Sequence, residues 1–261
     1  MDLHLAGRKA IICASSKGLG HACATALLAE GVDVVINGRD RATLEAAGER
    51  LRATHPASGR VTTVQGDVTT PTGRQALLVA CPNPDILVNN NNGPDPSPFE
   101  AISDAMWSAG LEANMLAPLF LVRDVLPGMI ARRYGRIVNI TSAMVTTPRP
   151  RMTISAGARA GLTAALKGLS LDVARHNVTI NNLLPERFDT DRQEFMAQQA
   201  MKRTGCTYDE ARRQQVESIA ARRLGRPEEL GALCAFLCSP FAGYMSGQNF
   251  HLDGGSYPAL I

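Results

Sequence analysis

Short apolar runs alternate with amphipathic stretches along most of the chain. KAIICAS (9–15) is apolar on both faces, which predicts a fully buried strand. GLGHACATALLAEG (18–31) has apolar residues at helical spacing and closes on Gly31. The pair then repeats, with VDVVING (32–38) as a strand and RDRATLEAAGERLRAT (39–54) as a polar-faced helix. Further strands are predicted at VTTVQGD (61–67), DILVNN (85–90), GRIVNITS (135–142), VTINNLL (178–184) and QNFHLDG (248–254). A long helical region covers 100–132, and another helix covers 155–177. Apolar strands that alternate with helices must be covered on both faces. The pattern therefore predicts one α/β domain over residues 1–261, a Rossmann-type doubly wound parallel sheet of about seven strands.

Residues 187–226 break the rhythm. They are polar and Arg-rich, and TYDE (207–210) has the form of a capping box before a helix. An insertion after a late strand of an open α/β sheet lies over the strand C-termini, where ligands bind. A substrate lid is the functional reading, and a solvated helix pair is the plain one.

Composition narrows the class only slightly. The 261 residues are 45% hydrophobic and 20% charged, with a formal charge of +3, too small to argue for nucleic acid. Six Cys occur without a CxxC pair. Cys234 and Cys238 are four apart, but no His or acidic residue accompanies them at ligand spacing, so they read as buried thiols and no metal is expected. Free thiols, no signal-peptide core and no run of about 18 apolar residues lead us to expect a soluble, cytoplasmic protein without a membrane partner.

The first strand runs into CASSKGLG (13–20), where Gly18 and Gly20 open a helix. A loop of this kind lets a pyrophosphate approach backbone N–H groups at a helix N-terminus. Ser15, Ser16, Lys17, Gly18, Leu19 and Gly20 are therefore candidate cofactor contacts. Arg39 ends the second strand, where an acidic residue would bind the ribose hydroxyls of NAD. An Arg there pairs with a 2′-phosphate, which favours NADP(H) over NAD(H), although Asp40 follows directly. Asp67, with Val68 beside it, either accepts a bond from an adenine amino group or simply forms a turn.

Together these segments resemble the short-chain dehydrogenase/reductase family, of the 3-oxoacyl-carrier-protein reductase kind, over nearly the whole chain. The family's TGxxxGxG loop stands here as C-A-S-S-K-G-L-G, with Ala14 in place of the first Gly, a substitution that fits if φ there is negative. N-N-N-N at 89–92 stands where the family has NNAG, and the resemblance assigns Asn90 to the cofactor. It likewise implies Asn114 and Ser142 as catalytic residues, and Pro185 and Thr190 as cofactor contacts. The family assembles through its middle helices and last strand, which implies a homodimer or homotetramer.

The departures are specific. The family places Tyr thirteen residues after the Ser and Lys four further on; counting from Ser142 gives Ser155 and Arg159. The chain resembles a branch with S-x-x-x-R, followed by LPERFDTDR (184–192). A Ser hydroxyl is a weaker acid than a phenol and is shorter, so a water chain held by Asn114, Ser142 and Ser155 would have to carry the proton. Arg159 can hold a ribose or stabilise an oxyanion. Arg149, Arg151, Arg187 and Arg192 either converge on an anionic small-molecule substrate or are solvated or ion-paired. Glu186 replaces the family Gly near the nicotinamide pocket; it orients a substrate hydroxyl, acts as an unorthodox base or, in the plainest reading, faces solvent. Two functions follow: an NADP(H)-dependent enzyme interconverting a carbonyl and a secondary alcohol through a modified proton-transfer site, or a non-catalytic nucleotide-binding protein.

Overall fold

In the computed structural model, which describes residues 1–56 and 58–260, seven parallel strands form one sheet in the order β3-β2-β1-β4-β5-β6-β7. The strands are β1 (Lys9–Ile12), β2 (Asp33–Gly38), β3 (Val61–Gln65), β4 (Ile86–Asn89), β5 (Gly135–Ile140), β6 (Val178–Pro185) and β7 (Asn249–Leu252). Alternate residues of each strand feed opposite cores. Ala10 and Ile12 pack under helices α1 (Gly18–Ala29), α2 (Arg41–Thr54) and α9 (Pro227–Cys238). Ile11 and Cys13 pack under α3 (Pro71–Ala80), α5 (Ala117–Arg132) and α6 (Thr153–Val173). Cover on both faces explains why the strands read as continuous apolar runs. Cys234 and Cys238 lie wholly in the first core beside Cys23, and their thiols are pushed well above the ordinary range.

The strand order reverses between β1 and β4, so the loops after these two strands diverge and leave a crevice at their C-terminal ends. The helical region at 100–132 is not continuous. α4 (Asp104–Leu111) passes through a π-helical segment at Glu112–Leu116 into α5. Pro118 has no N–H to give to the Asn114 carbonyl, so the α-helical ladder cannot run through this point, and the Ala117 N–H bonds to the Glu112 carbonyl instead. The stretch Asp104–Arg132 is long and apolar enough by composition to cross a bilayer, contrary to the count of apolar runs above. Its apolar residues Leu121, Val122, Val125 and Met129 face the sheet, so they form the core side of a packed helix.

The insertion after β6 forms α7 (Asp191–Thr204) and α8 (Tyr208–Glu217), the latter with the expected reciprocal Thr207–Glu210 box. Its two ends meet at a parallel bridge between Phe188 and Gly225. The Asp189 N–H donates to the Gly225 carbonyl and the Gly225 N–H to the Arg187 carbonyl.

Candidate active site

The crevice opens into a cleft of about 930 Å³ that runs from Arg39 and Asp40 past the β1–α1 loop to Thr141, Arg159, Pro185 and Thr190. At its floor, α1 begins at Gly18 without any side-chain cap, so its first-turn N–H groups have no side-chain acceptor and face the cleft. Gly18 is in the left-handed region (φ +61°), and so, unexpectedly, is Ala14 (φ +44°). The premise that Ala14 sits at negative φ is therefore wrong. A Cβ in the left-handed region costs roughly 1–2 kcal/mol, and neighbouring groups hold the conformation. The Ala14 N–H donates to Asn37 Oδ1 (3.4 Å), and its carbonyl accepts from Asn90 Nδ2 (3.1 Å). Gly20 acts through packing: a Cβ there would come within 2.5 Å of the Ala14 carbonyl, so α1 can lie this close only as glycine.

Ser16, Lys17, Gly18, Leu19, Arg39, Asp67, Val68, Asn90, Arg159, Pro185 and Thr190 all line the cleft, as expected. Ser15 does not. It is fully buried, donating to the Ile12 carbonyl (2.7 Å) and accepting from the Asn37 N–H (2.9 Å), so it ties the loop to β2. Asn37 was missed by the sequence reading. It also donates to the Val64 and Gly66 carbonyls, joining three strand ends under the cleft; an Asn before Gly at the end of an apolar strand was the available clue. Asp40 caps α2, accepting from the Thr43 N–H (2.8 Å) and hydroxyl, and these bonds hold its carboxyl below the usual range. Asp67 forms the turn, with one oxygen left towards the cleft. Oδ1 closes a turn on Thr69, while Oδ2 faces Arg39 at 4.0 Å. Lys17 reaches Asp191 at the start of α7 (2.9 Å), so the insertion touches the phosphate loop across the cleft mouth.

Just beyond Thr141 and outside the cleft lining, Ser142 starts a short turn, accepting from the Met144 N–H (3.2 Å). Arg159 is buried. Nη1 donates to the carbonyls of Ile140 (2.9 Å) and Thr141 (3.0 Å), and Nη2 to that of Asn91 (3.3 Å). Burial pushes its pKa down to about 10, so it stays cationic at neutral pH, and no carboxylate pairs with it among the described residues. Ser155 lies one helical turn before Arg159, and the two converge on Gly93: a Cβ on Gly93 would stand 3.6 Å from Arg159 Nη2 and 4.0 Å from Ser155 Oγ.

Several expectations need correction. Asn114 does not line the cleft. Its Nδ2 donates to the Asn92 (3.3 Å) and Gly110 (3.4 Å) carbonyls, and it lines a small cavity that adjoins the cleft at Asn90, Asn91, Ile140 and Arg159. A water chain through Asn114, Ser142 and Ser155 together is therefore not supported. Glu186 does not face solvent. Its side chain is 4% exposed and bridges Arg149 (2.7 Å) and Arg187 (3.4 Å). Arg192 pairs with Asp95 (2.9 Å), and Arg151 sits exposed on the rim in the left-handed region. Three of the arginines are thus held by two acids of the chain, Glu186 and Asp95, and not gathered around one open anion site. No tyrosine replaces the missing one. Tyr134 donates to the Cys238 carbonyl in the core, Tyr208 bonds Glu194 on the insertion, and Tyr257 stacks on His251.

A family described as enoyl-(acyl carrier protein) reductase matches residues 13–257. The chain is 30% identical to NADPH-dependent reductase BacG of Bacillus subtilis over 257 residues, 97% of this chain and 99% of that one. It is also 30% identical to 3-oxoacyl-[acyl-carrier-protein] reductase FabG of Vibrio cholerae, covering 98% and 99%. The solved structure of L-sorbose reductase from Gluconobacter frateurii, complexed with NADPH and L-sorbose, superposes with a TM-score of 0.94 at 29% identity over the full length of both chains. With its reversed sheet order, its uncapped glycine loop and these full-length likenesses, the chain belongs to the short-chain dehydrogenase/reductase family of oxidoreductases.

Proposed function

We propose that this chain is an NADP(H)-dependent reductase that interconverts a small carbonyl compound and its secondary alcohol, with a proton-transfer site that works without the usual Tyr and Lys. The observation that carries the cofactor choice lies at the Arg39 end of the cleft. Arg39 is exposed there, 4.0 Å from Asp67, and Asp40, the carboxylate that follows it, is occupied in capping α2. An exposed guanidinium beside an occupied carboxylate suits a 2′-phosphate. BacG carries the name NADPH-dependent, and the sorbose reductase structure holds NADPH, which supports the same choice.

The cleft fits a dinucleotide in shape and chemistry: glycine backbone and an uncapped helix N-terminus for the phosphates, an exposed cation at one end, a buried cation at the other. NADP(H), when bound, supplies or accepts the hydride. Arg159 fixes the wall formed by Ile140, Thr141 and Asn91 and presents positive charge near the reacting oxygen. The Ser142 hydroxyl hydrogen is not committed to any acceptor, so it can donate to a substrate oxygen. Arg159 remains charged across neutral pH, so the proton reaches that oxygen from solvent through Ser142. Because Glu186 holds Arg149 and Arg187, and Asp95 holds Arg192, the favoured substrate is a neutral or weakly charged carbonyl compound. The helices 191–204 and 208–217 act as its lid. The exposed Leu171 on α6 suits burial against a second copy in a dimer or tetramer, and six unpaired cysteines suit the cytoplasm.

A fluorescence titration with NADPH and NADH at equal ionic strength tests the reading. NADH should bind at least tenfold more weakly, about 1.4 kcal/mol, and Arg39→Ala should remove the difference. Equal affinities would overturn the phosphate site. Turnover of NADPH with a panel of ketones should then fall about 100-fold in Ser142→Ala. Tight binding with no turnover of any carbonyl would leave a nucleotide-binding protein.

A further inference from the structure

Four buried side-chain polar atoms lack a hydrogen-bond partner among the described residues, and three of them belong to residues lining the small cavity between β4, β5, the π-helical segment and α6. They are Asn89 Oδ1, Asn114 Oδ1 and Arg159 Nε. Leaving a buried polar atom unpaired is costly, so their gathering in one place calls for a common partner. The cavity gives the centre of a water molecule about 10 Å³, close to the room one water needs.

The orientation of each amide is fixed by its backbone partners. Asn139 Nδ2 donates to the Asn181 carbonyl (3.3 Å), so Asn139 Oδ1 must be the atom that accepts from Asn89 Nδ2 (2.9 Å). Asn89 Oδ1 is thereby turned to the cavity. Asn114 Nδ2 is held by two carbonyls, which turns its Oδ1 inward as well. On the far side, Asn139 Nδ2 donates to Asn182 Oδ1 (3.0 Å), and Asn182 Nδ2 to Asn249 Oδ1 (2.9 Å). These four asparagines occupy paired register positions on β4, β5, β6 and β7. Asn89, Asn139 and Asn182 all donate toward the β7 edge, so the acceptor end of the row points to the cavity.

We infer that this cavity is a binding site for one water molecule, which accepts from Arg159 Nε–H and donates to Asn89 Oδ1 and Asn114 Oδ1. The water joins the buried guanidinium to an aligned chain of asparagine amides. One donor and two acceptors complement a water's own hydrogen-bonding groups. The chain supplies what a carboxylate would otherwise give Arg159, a negative dipole end, and amides bonded in series polarise one another in the same sense. Asn89, Asn139, Asn182 and Asn249 are then positioning residues for Arg159. The inference rests on the cavity and the amide orientations, so it stands or falls independently of NADP(H) binding and of any turnover.

The test is NMR on the full chain, deuterated and labelled with 15N-arginine, with the Arg159 Nε–H resonance assigned by its loss in Arg159→Lys. The wild type should show a cross-peak from this proton to a long-lived water and exchange at least 100-fold slower than exposed arginines. No water cross-peak, or exchange at surface rates, would overturn the site. Asn89→Leu should abolish the cross-peak; its survival in a folded variant would remove Asn89 from the site. Because that variant can fail to fold, Asn249→Leu at the exposed sheet edge gives a second readout. It should move the Arg159 Nε frequency, and an unmoved resonance would overturn the coupling through the chain.

Discussion

Two arginines, at opposite ends of the same sheet, are buried without a carboxylate partner among the described residues. Arg136, on β5 near the strand N-termini, has every nitrogen satisfied. Nε donates to the Ser239 carbonyl, Nη1 to those of Gly135 and Asn177, and Nη2 to Asn177 Oδ1, with the Tyr134 ring 4.4 Å away. Arg159, at the strand C-termini, holds three carbonyls but keeps its Nε–H unpaired by protein. Both guanidinium groups have their pKa lowered by burial. One end of the sheet thus uses a buried cation as a finished clamp. The other uses it as part of a cleft wall with donor capacity left over. The stable end and the working end of the fold differ in whether their polar groups are fully committed.

Substitutions can break this comparison. Arg136→Met should have the largest effect on stability, about 3 kcal/mol in urea unfolding, because buried carbonyls lose their donor. Nucleotide affinity per folded molecule should be unchanged. Arg159→Met should reverse the pattern, with turnover falling roughly 100-fold and a smaller loss of stability. Its pH behaviour follows from the lowered pKa. Below about 10 the guanidinium is charged in both folded and unfolded chains, so the cost of burying it is fully present. From about 10 up to the ordinary guanidinium range the unfolded chain binds the extra proton, so this group's contribution to stability rises with pH. Nucleotide affinity should be flat with respect to this group from pH 7 to 9 and fall beyond pH 10, and Arg159→Met should lack that fall. Any affinity step near pH 7 that vanishes in Arg159→Met would contradict a cation fixed in place.

The smallest effect sharpens the contrast. Ala14→Gly relieves a left-handed Cβ but frees the unfolded chain by about 0.4–1 kcal/mol, so a net stabilisation of about 0.5–1 kcal/mol is expected in thermal unfolding. No gain would mean that Asn37 and Asn90 hold the turn without strain.

Much of the fold is legible in the sequence because burial on both faces writes itself as apolar runs, and because glycine marks the phosphate turn. The finer limits are not. The helix expected at 155–177 runs from Thr153 to Val173 and ends in a short turn at left-handed Asn177. The π-helical segment is invisible to periodicity, although Pro118 hints at it. Ser155 and Arg159 could be located by counting, but not the way Arg159 turns to three carbonyls. Glu186 was misread because its partners, Arg149 and Arg187, come together only in the fold. The asparagine row escaped for the opposite reason: its members are visible at strand positions, but register is needed to see that they align.

The bridge between Phe188 and Gly225 has a practical consequence. The helices between these residues leave and rejoin the scaffold at a single stapled point, so the segment is a cassette. Exchanging it for the corresponding segment of a relative changes loop length at little entropic cost, because the ends are already held together. Gly225 must be kept in any such graft, since a Cβ there would come within 2.8 Å of the Phe188 ring. With that pair retained, the segment can be exchanged on this frame without redesigning the sheet beneath it.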